Sequence, residues 1–178
     1  YVARQVSRWS KQYRASETDD IEAMNSLIDW LPKNIPDDDE TSIVHGDYRL
    51  DNMILKNNQV IGILDWELST LGHPIADFSY HCLSWRTQEA FWDQVKLKEL
   101  GVPSEKEYMD MYCENTGKDL SKNWEFYMAF NMFKIAGILQ GILGRVRDGT
   151  ASSKHAEDRG MMVYPLSEAA WKTIENNF

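Results

Sequence analysis

The sequence has 178 residues, 43% of them hydrophobic and 12% aromatic, which is enough apolar material for a folded core and excludes a disordered chain. Its formal net charge of −9 argues against a nucleic-acid-binding protein, because such a surface must neutralise phosphates. No apolar run approaches the length of a membrane span, so we expect no membrane association. Cys82 and Cys113 lie far apart without a CxxC motif, which favours reduced thiols and a cytoplasmic location.

Two helices are predicted in the N-terminal segment. Residues 2–15 carry apolar side chains at helical spacing on one side and four cations on the other; the cations are Arg4, Arg8, Lys11 and Arg14. This basic face is either solvated or a dock for an anionic ligand or a partner lobe. Asp19 and Asp20 are expected to cap a second helix that ends before Pro32. Its inward residues would be Ile21, Met24, Ile28 and Leu31.

The pattern changes to strands in the central segment. Ile43-Val44 predicts a short buried strand that leads into a loop. The apolar runs 53–55 and 60–64 predict a hairpin, because Asn57-Asn58 between them tolerates the left-handed backbone of a tight turn. After this hairpin, Pro74 can begin a helix.

The remainder is predicted to be helical, over residues 88–100, 104–116, 123–146 and 153–177. The second of these segments begins with a capping-box signature, Ser104 with Glu107. The third is strongly apolar and predicts a central buried helix, with three glycines that would let another helix approach closely: Gly137, Gly141 and Gly144. The fourth is expected to break near Pro165. We expect a single domain over residues 1–178, of α+β class and mainly α.

The chemistry is predicted to lie in the segment HGDYRLDN, residues 45–52. Asp47 can orient an acceptor hydroxyl and take its proton late in a phosphoryl transfer. Asn52 offers an amide oxygen to magnesium, a hard cation that prefers oxygen ligands. The hairpin would return Asp65 to the same end as Asn52, where both oxygens could hold one ion. Each residue alone has a structural explanation, but the ordered set indicates a kinase-type site.

Three further residues are predicted to support or complete this site. His45 is expected to tie the loop together by hydrogen bonds rather than to act as a base. Asp77 is expected to accept hydrogen bonds from backbone amides of the loop. Arg49 could counter charge on the transferred phosphoryl group, or it could be an ordinary surface arginine. The candidate catalytic residues are therefore Asp47 and Arg49.

The motifs HGDYRLDN, ILDWE and GHPIAD together resemble the aminoglycoside phosphotransferase and choline kinase group of protein-kinase-like folds. The segments YVARQVSRWSKQY, LDWELSTLGHP and NWEFYMAF extend the likeness to the kinase-like domain attached to acyl-CoA dehydrogenases of the family member 10 and 11 type. The resemblance implies the C-terminal lobe of such a fold, with site residues in these positions: base Asp47, magnesium ligands Asn52 and Asp65, supports His45 and Asp77. Arg49 stands where many antibiotic kinases have histidine, which argues mildly against an antibiotic acceptor.

This resemblance implies that the γ-phosphoryl group of ATP is transferred, with magnesium, to a hydroxyl of a small molecule such as a hydroxyacyl-CoA or hydroxy acid. A cationic acceptor (an amino sugar or a choline-like molecule) and a kinase-shaped pseudoenzyme stay open as alternatives. No glycine-rich phosphate loop precedes Tyr1. We therefore expect that the N-terminal lobe of such a fold is a missing partner of this chain, and that residues 1–178 alone are inactive. Candidate acceptor contacts are Tyr48, Glu67, Trp85 and Tyr127.

Overall fold

The computed structural model describes residues 1–38, 40–87 and 94–178. These residues form eight α-helices: α1 Val2–Ala15, α2 Glu22–Trp30, α3 Pro74–Cys82, α4 Gln94–Glu99, α5 Glu105–Thr116, α6 Trp124–Arg147, α7 Ala156–Met161 and α8 Val163–Glu175. They also form four strands: β1 Ser42–Val44, β2 Met53–Lys56, β3 Gln59–Ile63 and β4 Thr70–Gly72. The strands pair as two small antiparallel sheets, β1 with β4 and β2 with β3. The fold is thus mainly helical with small antiparallel sheets.

The chain divides into two compact units. The first, which we call the helical unit, comprises Tyr1–Asp38 and Glu125–Phe178. The second, the sheet unit, comprises Asp39–Trp124 and therefore holds all four strands together with α3, α4 and α5. The expectation of a single domain over residues 1–178 stays a prediction.

The core of the helical unit is built around α6. Its aromatic side chains are almost completely buried: Phe126, Tyr127, Phe130 and Phe133. The glycine side of α6 faces α1, since a Cβ at Gly137 would lie 3.7 Å from the Trp9 ring and one at Gly144 only 3.3 Å from the Ser16 carbonyl oxygen. The prediction that these glycines admit a neighbouring helix is therefore confirmed.

By length and composition alone, α6 could cross a membrane, so the expectation that no apolar run approaches that length was wrong. It is the one helix among the described residues with this property. Because two-thirds of its apolar stretch is buried inside the protein, α6 has the character of a core helix.

The start of the second helix differs from the prediction. Helix α2 begins at Glu22, and no side chain caps it. Asp19 instead forms an ion pair with Arg147 and accepts a hydrogen bond from the Tyr164 hydroxyl. Asp20 accepts a hydrogen bond from the Asn25 amide at 2.6 Å. The predicted cap is therefore wrong, because Asp19 is engaged by charged and hydroxyl partners far along the chain.

The inward face of the two N-terminal helices is close to the prediction. The predicted apolar side of α1 is buried, at Val2, Val6, Trp9 and Tyr13. In α2, Ile28 is only half-buried, and its neighbour Leu27 is fully buried. On the basic face, Arg14 pairs with Glu17 at 3.0 Å. No described acid pairs with the other three cations, which are exposed: Arg4, Arg8 and Lys11.

Local turn and cap signals are confirmed in the sheet unit. Asn57 and Asn58 join β2 to β3 with φ angles of 51° and 59°, the left-handed conformation of a tight hairpin turn. Pro74 is the first residue of α3. Ser104 and Glu107 form a complete capping box at the start of α5, which ends at Thr116 as predicted.

The apolar residues of the strands are more exposed than predicted. In β1, Val44 is buried, but Ile43 is 74% exposed, so the expectation of a buried strand holds for only one of its two apolar residues. The hairpin carries four exposed apolar side chains, and the two at adjacent positions of β2 point to opposite faces; the four are Ile54, Leu55, Val60 and Ile61. We call these four residues the apolar hairpin surface.

Of the four helical segments predicted after Pro74, the first is described only in part and the fourth is divided into two helices. The helix predicted over residues 88–100 is observed over Gln94–Glu99, and residues 88–93 lie outside the described part of the chain. The C-terminal segment breaks at Met162, between α7 and α8, close to Pro165 as predicted but not at the proline itself. Pro165 lies in the first turn of α8, where a backbone N–H has no partner within the helix and proline costs little.

Candidate active site

The loop after β1 is fixed by glycine geometry and by a carboxylate from α3. Gly46 has a φ of +85°, and a Cβ there would lie 2.7 Å from the Leu68 carbonyl oxygen, so only glycine fits. The Asp77 carboxylate accepts hydrogen bonds from the His45 N–H at 2.8 Å and from the Gly46 N–H at 2.9 Å. The half-buried Asp77 thus holds two consecutive backbone amides of the loop.

The His45 ring uses both of its nitrogens inside the loop. Nε2 lies 2.8 Å from the Leu64 carbonyl oxygen, which can only accept, so Nε2 donates. Nδ1 is then unprotonated and accepts a hydrogen bond from the Asp47 N–H at 3.2 Å. The ring is therefore neutral in this arrangement. Because both nitrogens are occupied, His45 is placed to orient the loop rather than to exchange a proton with a substrate.

Both oxygens of the Asp47 carboxylate are held by side-chain donors. The Tyr80 hydroxyl donates to Oδ1 at 2.9 Å, and the Asn52 amide donates to Oδ2 at 3.1 Å. The same Asn52 nitrogen donates to the Asp47 carbonyl oxygen at 2.9 Å. Burial and the hydrogen bond to Asp47 raise the pKa of Tyr80 to about 12, so its hydroxyl remains a donor at neutral pH. The carboxylate is therefore oriented, and it is half-buried rather than sealed.

The hairpin returns Asp65 to the backbone of Asn52. The Asn52 carbonyl oxygen accepts a hydrogen bond from the Leu64 N–H at 2.8 Å, and Met53 pairs with Ile63 at this end of the ladder. Asp65 directly follows Leu64 and has a left-handed backbone, with φ of 64° and ψ of 50°, a conformation that aspartate tolerates better than most residues. The structure thus brings the segments of all three predicted residues together: Asp47, Asn52 and Asp65.

Asn52 and Asp65 provide a donor set that fits magnesium. The Asn52 amide nitrogen is directed to Asp47, and no described donor engages its amide oxygen. Asp65 is exposed, and no described residue pairs with its carboxylate. Both groups offer the hard oxygen atoms that Mg²⁺ prefers. Within the described residues, no group of three or more His, Cys, Asp or Glu could hold a metal, so phosphates and water would have to complete the coordination shell.

Arg49 lies near Asp47 but is paired with another acid. Its guanidinium donates to Asp51, with Nε at 2.9 Å, and its side chain is 53% exposed. The hydrogen bond to Asp51 is the largest contribution that raises the pKa of Arg49, and the negative charge of Asp47 adds to it. Arg49 is therefore close enough to feel the Asp47 charge and to interact with the Tyr80 hydroxyl, and the acid that it pairs with is Asp51.

Sequence reasoning missed two residues of α3 that contact the loop. Tyr80 reaches the Asp47 carboxylate, and His81 Nδ1 donates to the Tyr48 carbonyl oxygen at 3.1 Å. The Tyr108 hydroxyl in turn donates to His81 Nε2 at 3.2 Å. A signal was present in the spacing, because Asp77, Tyr80 and His81 occur at i, i+3 and i+4 and so share one face of a helix.

The candidate acceptor contacts lie in different environments. Tyr127 is fully buried in the core of the helical unit, so its proposed contact with an acceptor was wrong. Trp85 stacks on Tyr108 with ring centroids 5.0 Å apart. It also borders a cavity of about 300 Å³ within the sheet unit, whose other walls are Leu97, Lys98, Val102, Pro103, Ser104 and Glu107. Glu67 is exposed beside the hairpin end, after Asp65.

The chain belongs to the phosphotransferase enzyme family, whose model matches residues 1–112. The predicted family resemblance is confirmed. A crystal structure from Ralstonia eutropha, provisionally assigned as an aminoglycoside phosphotransferase, matches with a TM-score of 0.92 and 50% sequence identity. The match covers 99% of this chain and 56% of that one.

The curated relatives are long proteins. The chain is 46% identical to acyl-CoA dehydrogenase family member 10 of Mus musculus, over 96% of this chain and 17% of that protein. It is 40% identical to acyl-CoA dehydrogenase family member 11 of Homo sapiens, over the whole chain and 24% of that protein. The chain therefore spans about a quarter or less of the relatives that it matches.

Proposed function

We propose that this chain carries the catalytic loop of a small-molecule kinase, which transfers the γ-phosphoryl group of ATP to an alcohol. The observation that carries the proposal is the Asp47 carboxylate, held on both oxygens by Tyr80 and Asn52 beside the hairpin end that bears Asp65. Membership of the phosphotransferase family supports it. In this proposal, residues 1–178 correspond to the C-terminal lobe of a protein-kinase-like fold.

The proposed chemistry assigns one proton transfer to Asp47. As the acceptor oxygen bonds to the γ-phosphorus and the bond to the ADP oxygen breaks, the hydroxyl proton passes to the Asp47 carboxylate. Because the transition state of such a transfer is loose, the main task of Asp47 is to orient the hydroxyl, and the two hydrogen bonds to its oxygens suit that task. Arg49 would add positive charge near the transferred group.

Asn52 and Asp65 would hold magnesium. When bound, the ion would neutralise the negative charge of the nucleotide phosphates. The protein contribution is then limited to placing one amide oxygen and one carboxylate at the same end of the hairpin. A hydrolase that relies on a metal cage built from protein side chains is less compatible with this donor set.

For the acceptor, we propose a hydroxyacyl-CoA or a related hydroxy acid. The support is the name of the long relatives, acyl-CoA dehydrogenase family members 10 and 11, in which a kinase-like segment and acyl-CoA chemistry would share one protein. A cationic acceptor, an amino sugar or a choline-like molecule, is the alternative from the same reaction class. The cytoplasmic location stays part of the proposal, and the two free thiols, Cys82 and Cys113, are compatible with it.

We further propose that additional polypeptide covers the apolar hairpin surface. An isolated two-stranded hairpin with exposed apolar residues on both faces is only marginally stable in water. Exposed apolar patches mark interaction surfaces. An N-terminal lobe of the same protein is the proposed partner, and residues 1–178 alone would then lack phosphotransferase activity.

The test is an acceptor panel assayed on the full-length protein, with ATP and magnesium and with Asp47→Asn as the matched variant. We expect turnover of a hydroxyacyl-CoA or hydroxy acid, and a loss of at least about 100-fold in kcat in Asp47→Asn. Asn replaces the carboxylate with a neutral group of the same shape, so folding is preserved while the proton acceptor is removed.

Two outcomes would contradict the proposal. Turnover of cationic acceptors alone would replace the proposed acceptor class but keep the reaction. Failure of every acceptor, together with the absence of magnesium-dependent ATP binding, would favour a kinase-shaped pseudoenzyme that acts by binding.

A further inference from the structure

One face of α3 holds four consecutive residues of the catalytic loop. Asp77 binds the backbone amides of residues 45 and 46, Tyr80 binds the side chain of residue 47, and His81 binds the carbonyl oxygen of residue 48. These three residues of α3 are spaced i, i+3 and i+4, so a single rigid helix sets the path of the loop. Of the three, Tyr80 is the one that reaches the Asp47 carboxylate.

The hydrogen bond from Tyr80 restricts rotation of the Asp47 side chain, which the contacts to the loop backbone do not restrict. A carboxylate on a fixed backbone can still rotate about its two side-chain torsions. The Asn52 amide restrains Oδ2, and the Tyr80 hydroxyl restrains Oδ1. With one donor on each oxygen, the plane of the carboxylate is defined, and each oxygen keeps a lone pair for a substrate proton.

We propose that Tyr80 is a positioning residue for the phosphoryl transfer, which acts by fixing the orientation of the Asp47 carboxylate. This inference rests on the proposed function of Asp47. The aromatic ring of Tyr80 also fills space in the sheet unit, and a purely structural contribution would come from the ring rather than from the hydroxyl. Phenylalanine keeps the ring and removes the donor, so Tyr80→Phe separates the two contributions.

Tyr112→Phe is the matched control. Tyr112 is also half-buried in the sheet unit, and its ring stacks on Phe78 of α3 with centroids 3.8 Å apart. Burial raises its pKa to about 12, as for Tyr80. Its hydroxyl has no hydrogen-bond partner among the described residues, so the control removes a similar hydroxyl that does not touch Asp47.

The experiment compares wild type, Tyr80→Phe and Tyr112→Phe in the full-length protein by two readouts. The first is steady-state kinetics, in which we expect Tyr80→Phe to lower kcat about tenfold with the KM values for ATP and acceptor unchanged, because orientation matters in the transition state more than in binding. The second is hydrogen–deuterium exchange of the peptide covering residues 45–52, which we expect to become about threefold faster in Tyr80→Phe, because the bond between the Tyr80 hydroxyl and Asp47 also ties residue 47 of the loop to α3. Tyr112→Phe should match wild type in both.

Each outcome decides one proposal. If exchange in residues 45–52 is the same in Tyr80→Phe as in wild type, Tyr80 does not hold the loop, and the inference is overturned whether or not the protein phosphorylates anything. If kcat of Tyr80→Phe equals that of wild type, or if only KM changes, positioning is also overturned. If wild type phosphorylates no acceptor, the proposed function fails, and exchange alone then shows whether Tyr80 orders the loop.

Discussion

Helix α6 and the β2–β3 hairpin are both rich in large apolar side chains, but these side chains lie in opposite environments. Leu143 of α6 is 3% exposed, whereas Leu55 of the hairpin is 60% exposed. The helix is enclosed by other helices of its unit, and the hairpin is a two-stranded ribbon whose own residues can cover little of it. Large apolar side chains therefore form the core in one unit and, in the other, an exposed surface on the hairpin that leads to Asp65, a candidate site residue.

The largest expected effect is a difference in stability loss when leucine is replaced by alanine in α6 and in the hairpin. Leu143→Ala should lower the free energy of unfolding by about 2–5 kcal/mol, because it opens a cavity in a packed core. Leu55→Ala should lower it by less than about 0.5 kcal/mol in the chain of 178 residues, because its side chain is already largely in water. Urea unfolding monitored by tryptophan fluorescence measures both.

The same two variants can also be measured in the full-length protein. If additional polypeptide covers the apolar hairpin surface there, Leu55→Ala should cost more in the full-length protein than in the chain of 178 residues. Equal and small losses in both would contradict the proposed cover, while the expected loss for Leu143→Ala would be unaffected.

A smaller effect is expected from adding one methyl group to a glycine in each unit. A Cβ at Gly160 would lie 2.9 Å from the Cα of Leu143, so Gly160→Ala forces two helical backbones apart and should cost about 1–3 kcal/mol. A Cβ at Gly62 in the hairpin would lie 3.5 Å from Ile54 Cδ1, an ordinary contact, so Gly62→Ala should change the stability by less than about 0.5 kcal/mol. A shift in melting temperature for Gly62→Ala as large as that for Gly160→Ala would contradict this contrast.

The smallest expected effect is a dependence of stability on pH that originates in the sheet unit. Burial lowers the pKa of His81 below its ordinary value of 6.5. The unfolded chain therefore binds more protons than the folded chain between the two pKa values, and the free energy of unfolding falls as the pH drops through 6.5 toward the folded pKa. Helix α6 contains no histidine and makes no such contribution.

Urea unfolding at pH 7, 6 and 5 measures this dependence. His81→Gln keeps a polar side chain and removes the titration, so its stability should fall less steeply over that range than that of wild type. Parallel curves for the two proteins would show that His81 is not the group responsible.

The elements that were predicted well depend on chemistry within a few residues. The Asn57-Asn58 turn, the capping box at Ser104 and the start of α3 at Pro74 each follow from local backbone preferences. The return of Asp65 to Asn52 was also predictable, because a tight hairpin brings its two ends together. What escaped prediction was decided by partners distant in sequence. Asp19 was expected as a cap, but Arg147 engages it from 128 positions away.

The family motifs, the positions of most helices and strands, and the order of Asp47, Asn52 and Asp65 could be read from the amino-acid sequence. These follow from periodicity, turn residues and spacing, which act over short stretches of chain. The predicted role of Asp77 at the loop amides is confirmed, whereas the placement of Tyr80 and Asn52 on opposite oxygens of Asp47 and the exposure of the apolar hairpin surface emerged from the folded structure alone. The physical reason is that burial and hydrogen-bond partners depend on which distant segments pack together, and local propensity carries no information about that choice.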